Sequence, residues 1–281
     1  MSPKGMKRYW FIAMIAGANI LAMTSRIAAQ TSPPPDDGEP EFIVPARPTV
    51  SNPAQFQRPG VLQLEFGFNG NFSSRGSFAT ETDFPLAIRF AATRRILLEF
   101  DNDSPYSLTS TNSTNSGEGD MQVGIQGVFV PENKSRPGLA VAYYVKIPTG
   151  NPNRGLGTGR ADHSFIGLFS KTVKKTTIDF NAIYLLAGKT SSSGHDSSGQ
   201  AAFAVSQGLT KHFGVQGEIS GASRNDQQTG AMYALGVVTY QLNRRLVFDS
   251  GIRLGLTPRS ARAGAVAGIT VGVADLYKRH H

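Results

Sequence analysis

From residue 60 onward, oily and polar residues alternate along the chain, and turn residues break the alternation at regular intervals. Leu62, Leu64, Phe66 and Phe68 alternate with Gln63, Glu65 and Gly67. Ile96, Leu98 and Phe100 alternate with Leu97, Glu99 and Asp101, and Leu139, Val141, Tyr143 and Val145 with Ala140, Ala142, Tyr144 and Lys146. Ile178, Phe180, Ala182 and Tyr184 alternate with Asp179, Asn181 and Ile183. Similar runs surround Phe84–Phe90, Met121–Phe129, Val215–Ile219 and Phe248–Leu254. Successive strand side chains point to opposite faces, so each run has one oily face and one polar or small face. Glu65, Arg89, Glu99, Lys146, Asp179, Glu218, Asp249 and Arg253 all fall on the polar face. Four weaker segments, near 162–171, 200–210, 231–241 and 264–274, are rich in alanine and glycine. Together these predict about twelve strands of about ten residues, the length a tilted strand needs to cross a bilayer.

The breaks have a rhythm of their own. Those at Thr93–Arg95, Pro131–Pro137, Thr172–Lys175, Lys211–His212 and Leu242–Arg245 are short. They alternate with mostly longer ones at 73–80, 104–118, 149–161, 188–199, 223–230 and 257–263. Outer-membrane barrels have short periplasmic turns and long external loops. A soluble sandwich also alternates, but nothing in it enforces this rhythm. An even strand count returns both ends of the barrel to one side, predicted to be the periplasm.

The first residues read as an address. Lys4, Lys7 and Arg8 precede an apolar stretch from Phe11 to Met23, and Ile27-Ala28-Ala29 offers a cleavage site before Gln30. The stretch is shorter than the roughly 20 apolar residues of a spanning helix, and no other segment is apolar enough, so a membrane-resident mature chain must be a closed barrel. Residues 30–59 hold Pro33, Pro34, Pro35, Pro40, Pro45, Pro48, Pro53 and Pro59, which break helices and central strands. They are expected to form either a flexible periplasmic segment or a plug folded into the lumen. The domain reading is therefore a signal peptide (1–29), this Pro-rich segment (30–59) and a β-barrel (60–281).

Composition narrows the function. The 281 residues are 40% hydrophobic and 17% charged with 31 glycines, too polar for a helical membrane protein and too apolar for a disordered chain. The formal net charge is +8, but four bases lie in the first 29 residues, leaving 24 bases against 20 acids. With no basic run interleaved with aromatics, a nucleic-acid partner is not expected. The chain has no cysteine, which excludes disulfides and thiolate metal sites.

Apparent catalytic motifs do not hold together. The glycines at 155, 157 and 159 have the wrong spacing for a dinucleotide loop. In Asp162-His163-Ser164 adjacent strand residues face opposite sides, and His195-Asp196-Ser197 is read as part of a serine- and glycine-rich loop. His280 and His281 lack the further ligands of a metal site. No enzyme activity, cofactor or metal is expected. The chemistry sits instead on the polar faces. Glu65, Glu99, Asp101, Asp162, Asp179, Glu218 and Asp249, with Arg89, Lys146 and Arg253, are the lumen and constriction candidates. Twelve strands lie between the eight that side chains fill and the sixteen that leave a water channel. The lumen is thus predicted either to be filled by paired charges or to keep a narrow, mildly acidic pore. Gln126, on the same face, is expected to tolerate arginine.

The chain resembles the outer-membrane transporters associated with the meta-pathway of phenol degradation. The resemblance rests on Gly117-Glu118-Gly119-Asp120-Met121, on Lys146-Ile147-Pro148-Thr149-Gly150, on Gly155-Leu156-Gly157-Thr158-Gly159 with Asp162, and on the hairpin from Tyr240-Gln241-Leu242 to Leu254-Gly255-Leu256-Thr257-Pro258. It covers roughly residues 60–274. One departure is the run Leu276–His281 where such barrels usually close on a terminal aromatic, leaving Tyr277 as a candidate for that role. The resemblance implies an integral outer-membrane barrel passing small solutes, hydrophobic or aromatic ones among them. The partners expected are outer-membrane lipid, the barrel-assembly machinery and the solute, with the barrel a monomer. Two alternatives stay open: a structural or adhesive surface barrel with a plugged lumen, and a barrel lipid hydrolase.

Overall fold

A computed structural model describes residues 41–72, 80–109, 114–190, 192–228 and 230–277. The signal-peptide reading, residues 30–40 and the final histidines lie outside the described residues. Among them, thirteen strands form one antiparallel sheet. They are β1 (Val61–Phe72), β2 (Thr80–Ala91), β3 (Ile96–Thr109), β4 (Thr114–Gly117), β5 (Met121–Val130) and β6 (Gly138–Ile147). The rest are β7 (Asp162–Val173), β8 (Thr176–Gly188), β9 (His195–Gly208), β10 (Phe213–Ala222), β11 (Ala231–Asn243), β12 (Leu246–Gly255) and β13 (Ala263–Asp275). β1 pairs with both β2 and β13, so the sheet closes on itself and leaves no edge around the ring.

β4 and β5 are one strand, interrupted. Tyr106↔Gly117 and Asn102↔Met121 hold the same register on β3, with the pairs between them missing. Pro105 has no N–H to give the ladder at that height. The wall therefore has twelve staves. The break expected over 104–118 is shorter than read, because β3 runs on to Thr109 and β4 begins at Thr114. His195-Asp196-Ser197, expected in a loop, instead opens β9. Short turns such as Lys174–Lys175 gather at one end of the barrel, with Lys174 at φ 58°, as tight hairpins require. The longer connections, 148–161 and 223–230 among them, gather at the other.

The two faces separate as the alternation requires. Phe66 is 48% exposed while Gln63 and Glu65 beside it are 0% and 1%. Leu98, Ile125, Val141, Phe180, Ile219 and Ile252 likewise look outward, and Arg89, Gln126, Asn181 and Glu218 look inward. The outer surface is thus a continuous oily belt that only lipid or detergent satisfies. Leu98→Arg or Val141→Arg should cost about 2–4 kcal/mol in urea titrations of vesicle-inserted protein. Gln126 corrects an expectation: it is buried, and its amide donates to the carbonyls of Pro53 and Ala54, so arginine there displaces packed backbone.

Candidate functional site

The site is the inside of the barrel, and a stretch of the chain before β1 runs through it. With prolines at 45, 48 and 53 that stretch cannot join the ladder, so its remaining N–H groups need acceptors from the wall. Inward side chains supply them. Gln63 on β1 pairs with both backbone groups of Val44 at 2.9 Å. Glu65 accepts from the amides of Ala46 and Arg47, each at 3.0 Å. Glu218 on β10 accepts from Val50 at 3.1 Å and Ser51 at 2.7 Å. Asn181 on β8 holds both backbone groups of Asn52, and Ser170 on β7 accepts from Ala54. Gln57 donates to Arg89 O on β2, and the Arg58 amide returns to Glu41 O at 2.8 Å. A strand of residues touching β1, β10, β8, β7, β5 and β2 in turn can only lie within the ring.

Both limbs of this turn are rooted at the short-turn end. Phe42 and Ile43 pack with Val61 and Val247, and the Arg245 guanidinium lies 4.3 Å from the Phe42 ring centroid. Phe56 packs with Ala91, Leu97 and Val128. At mid-height the key contact is Arg47. Gly67 and Gly268 face each other across the β1–β13 pair. A Cβ on Gly67 would stand 2.2 Å from Arg47 Nη2, and one on Gly268 2.5 Å from its Nε. The two glycines make a notch for the guanidinium, which donates to Ala267 O at 3.1 Å and sits 3.8 Å from Asp249. Gly67→Val should eject Arg47 and speed proteinase K cleavage within residues 46–54 in folded, detergent-solubilised protein.

The candidate residues sort into groups. Arg89, fully buried, lies between Glu65 at 3.2 Å and Glu99 at 3.1 Å and donates to Val44 O at 2.8 Å. Tyr144 donates to the same Glu99 at 3.2 Å. Asp101, one inward step along β3, accepts from Gln122 at 3.4 Å. Asp179 accepts from Ser170 Oγ and so steadies the hydroxyl that receives Ala54. Lys146 and Asp162 form a separate cluster towards the long loops, 2.6 Å apart. Arg253 stands away from both, donating to Asn71 at 3.3 Å.

Sequence reasoning missed the uncharged holders Gln63, Gln126, Ser170 and Asn181, although all four have inward parity. It also missed Arg47 and Asp120, which lie outside the alternating runs. His163 faces outward with its Nδ1 2.8 Å from the Tyr143 hydroxyl, while Asp162 turns inward, so the three-residue motif assembles no triad. Two cavities flank the inserted turn. One of about 340 Å³, towards the long loops, is lined by Arg47, Thr49, Glu65, Asp101, Asp120 and Lys146. The other, of about 510 Å³, opens towards the short turns beside Val44, Gln55, Lys211 and Gln241.

A family model described as "Putative MetA-pathway of phenol degradation" matches residues 46–270. The chain belongs to this family. The matched region of the phenol-degradation family takes in the inserted turn from Ala46 as well as nearly the whole wall. Among solved structures, an outer membrane channel from Pseudomonas putida F1 is 12% identical, with TM-score 0.60 over 82% of this chain and 99% of that one. The NanC porin (10% identity, TM-score 0.52) and the KdgM porin (6%, 0.51) each align over 75% of this chain, and over 98% and 99% of their own. These likenesses show a shared outer-membrane barrel fold for the family member described here. No curated protein sequence gives a significant match.

Proposed function

We propose that this protein is a monomeric outer-membrane channel through which small solutes diffuse passively, with its short turns in the periplasm. The observation that carries the reading is the character of the interior. Two cavities, a polar one towards the long loops and a mixed one towards the short turns, are separated by a turn held to the wall by side-chain hydrogen bonds, not by ladder pairing. Such a turn acts as a plug that can move without unzipping the sheet. Glu65, Glu99, Asp101, Asp120 and Asp162 outnumber Arg47, Arg89 and Lys146 around the upper lumen, an acid excess that favours neutral and cationic solutes over anions. The family description supports aromatic degradation substrates as candidates, and the names of the similar channel and porins support passive passage. No catalytic role is assigned.

The test is conductance of the full chain in planar bilayers beside a variant lacking residues 41–57. Small steps in the first and larger ones in the second are expected. Silence in both would support instead a structural surface barrel, which the filled lumen would suit.

A further inference from the structure

The three stretches that carry the family resemblance nearest the long-loop end converge on one ammonium group. Lys146, at the inner face of β6, contacts Asp162 Oδ2 at 2.6 Å and Thr158 Oγ1 at 2.7 Å. It also contacts Asp120 Oδ2 and Gln227 Oε1, each at 3.4 Å. Thr158 belongs to the connection 148–161, whose backbone is drawn onto Asp120 by the amides of Gly150 at 3.0 Å and Thr158 at 3.3 Å. A Cβ on Gly157 would fall 2.4 Å from Asp120 Oδ1, so only glycine lets that loop come so close.

Gln227 comes from another direction. It lies in the connection between β10 and β11, yet its amide donates to Asp162 on β7 and to Gly188 O on β8, both at 2.8 Å. Its neighbour Asp226 receives the Thr190 amide at 2.6 Å and donates its own N–H to Asp196 on β9 at 2.9 Å. A loop leaving the wall at β10 and bonded to β6, β7, β8 and β9 has folded inward along that arc of the mouth, because those strands follow one another around the ring.

We infer that the connections 148–161 and 223–228 form a lid over the outer mouth, latched by Lys146 and separate from the plug below. The reading rests on the channel function proposed above. The latch is electrostatic: one ammonium bridges two carboxylates and two neutral acceptors contributed by Asp120 just before β5, by β7 and by both loops. Removing the cation leaves Asp120 and Asp162 repelling each other, which favours the open arrangement. The lid therefore restricts the pore in series with residues 41–57.

The experiment uses the full chain, whose lack of cysteine gives a clean background. Thr158→Cys and Gln227→Cys are introduced together and joined in folded protein by a cleavable bis-maleimide. Efficient intramolecular joining, with loss of the larger current steps until the linker is cleaved, is expected. Lys146→Met should give more frequent large steps than the parent. Failure of the two cysteines to join in folded protein would overturn the lid. So would currents identical before and after cleavage in a protein that conducts. A chain silent in every form, including the one lacking 41–57, would instead overturn the channel reading beneath it, whereas conduction with joining and no change in current defeats the lid alone.

Discussion

Arg89→Met is expected to destabilise the folded barrel by about 3–5 kcal/mol, the usual consequence of removing one partner from a buried ion pair. Arg89 has no exposure and lies between two carboxylates, Glu65 and Glu99, about 3 Å from each. Methionine fills similar volume but leaves both acids facing one another away from water. It also takes the donor from Val44 O, loosening the inserted turn where it enters. Arg89→Lys should recover only part of the loss, because the acceptors here meet separate nitrogens, Nε for Glu99 and Nη1 for Glu65 and Val44 O, and one ammonium does not occupy both places. Urea titration in detergent micelles, read by electrophoretic heat-modifiability, checks both variants. Parent-like midpoints for Arg89→Met would mean that water reaches the triad.

Glu218→Ala should act on the turn and spare the wall. The carboxylate receives two adjacent amides, Val50 and Ser51, at the far point of the insertion. Hydrogen bonds to a charged group contribute about 1.5–3 kcal/mol each. Losing two, with partial replacement by water, weakens the hold by about one to two powers of ten, since 1.4 kcal/mol is tenfold. The outcome expected is longer dwell in the larger conducting state and faster proteinase K cleavage within residues 46–54, with an unchanged unfolding midpoint for the barrel itself. A drop in that midpoint without a change in conductance would place Glu218 in the wall's stability instead.

The wall was legible because a barrel repeats one rule: alternate residues meet lipid or lumen, and each misplacement carries a cost in kcal/mol. Leu98, Val141 and Phe180 fell on the correct face for that reason. The interior was legible only as a set of inward polar positions. Which inward residue meets which depends on shear and on chain folded back inside, and neither leaves a period in the sequence. Glu65 and Arg89 could be placed inside, but that Glu65 accepts Ala46 and Arg47 could not be read from spacing. Prolines at 45, 48 and 53 announced a stretch unable to pair, and this was compatible with a tether as well as an insertion. Asp120 and Thr158 carried family resemblance without a role, because their common partner, Lys146, lies on a different strand.

The glycine notch has a bearing on how the molecule is put together. Its two halves come from the first and last staves, and it exists only after β1 and β13 have zipped. Arg47 therefore has no berth in an unfinished cylinder. Seating of its guanidinium follows completion of the seam between the first and last strands.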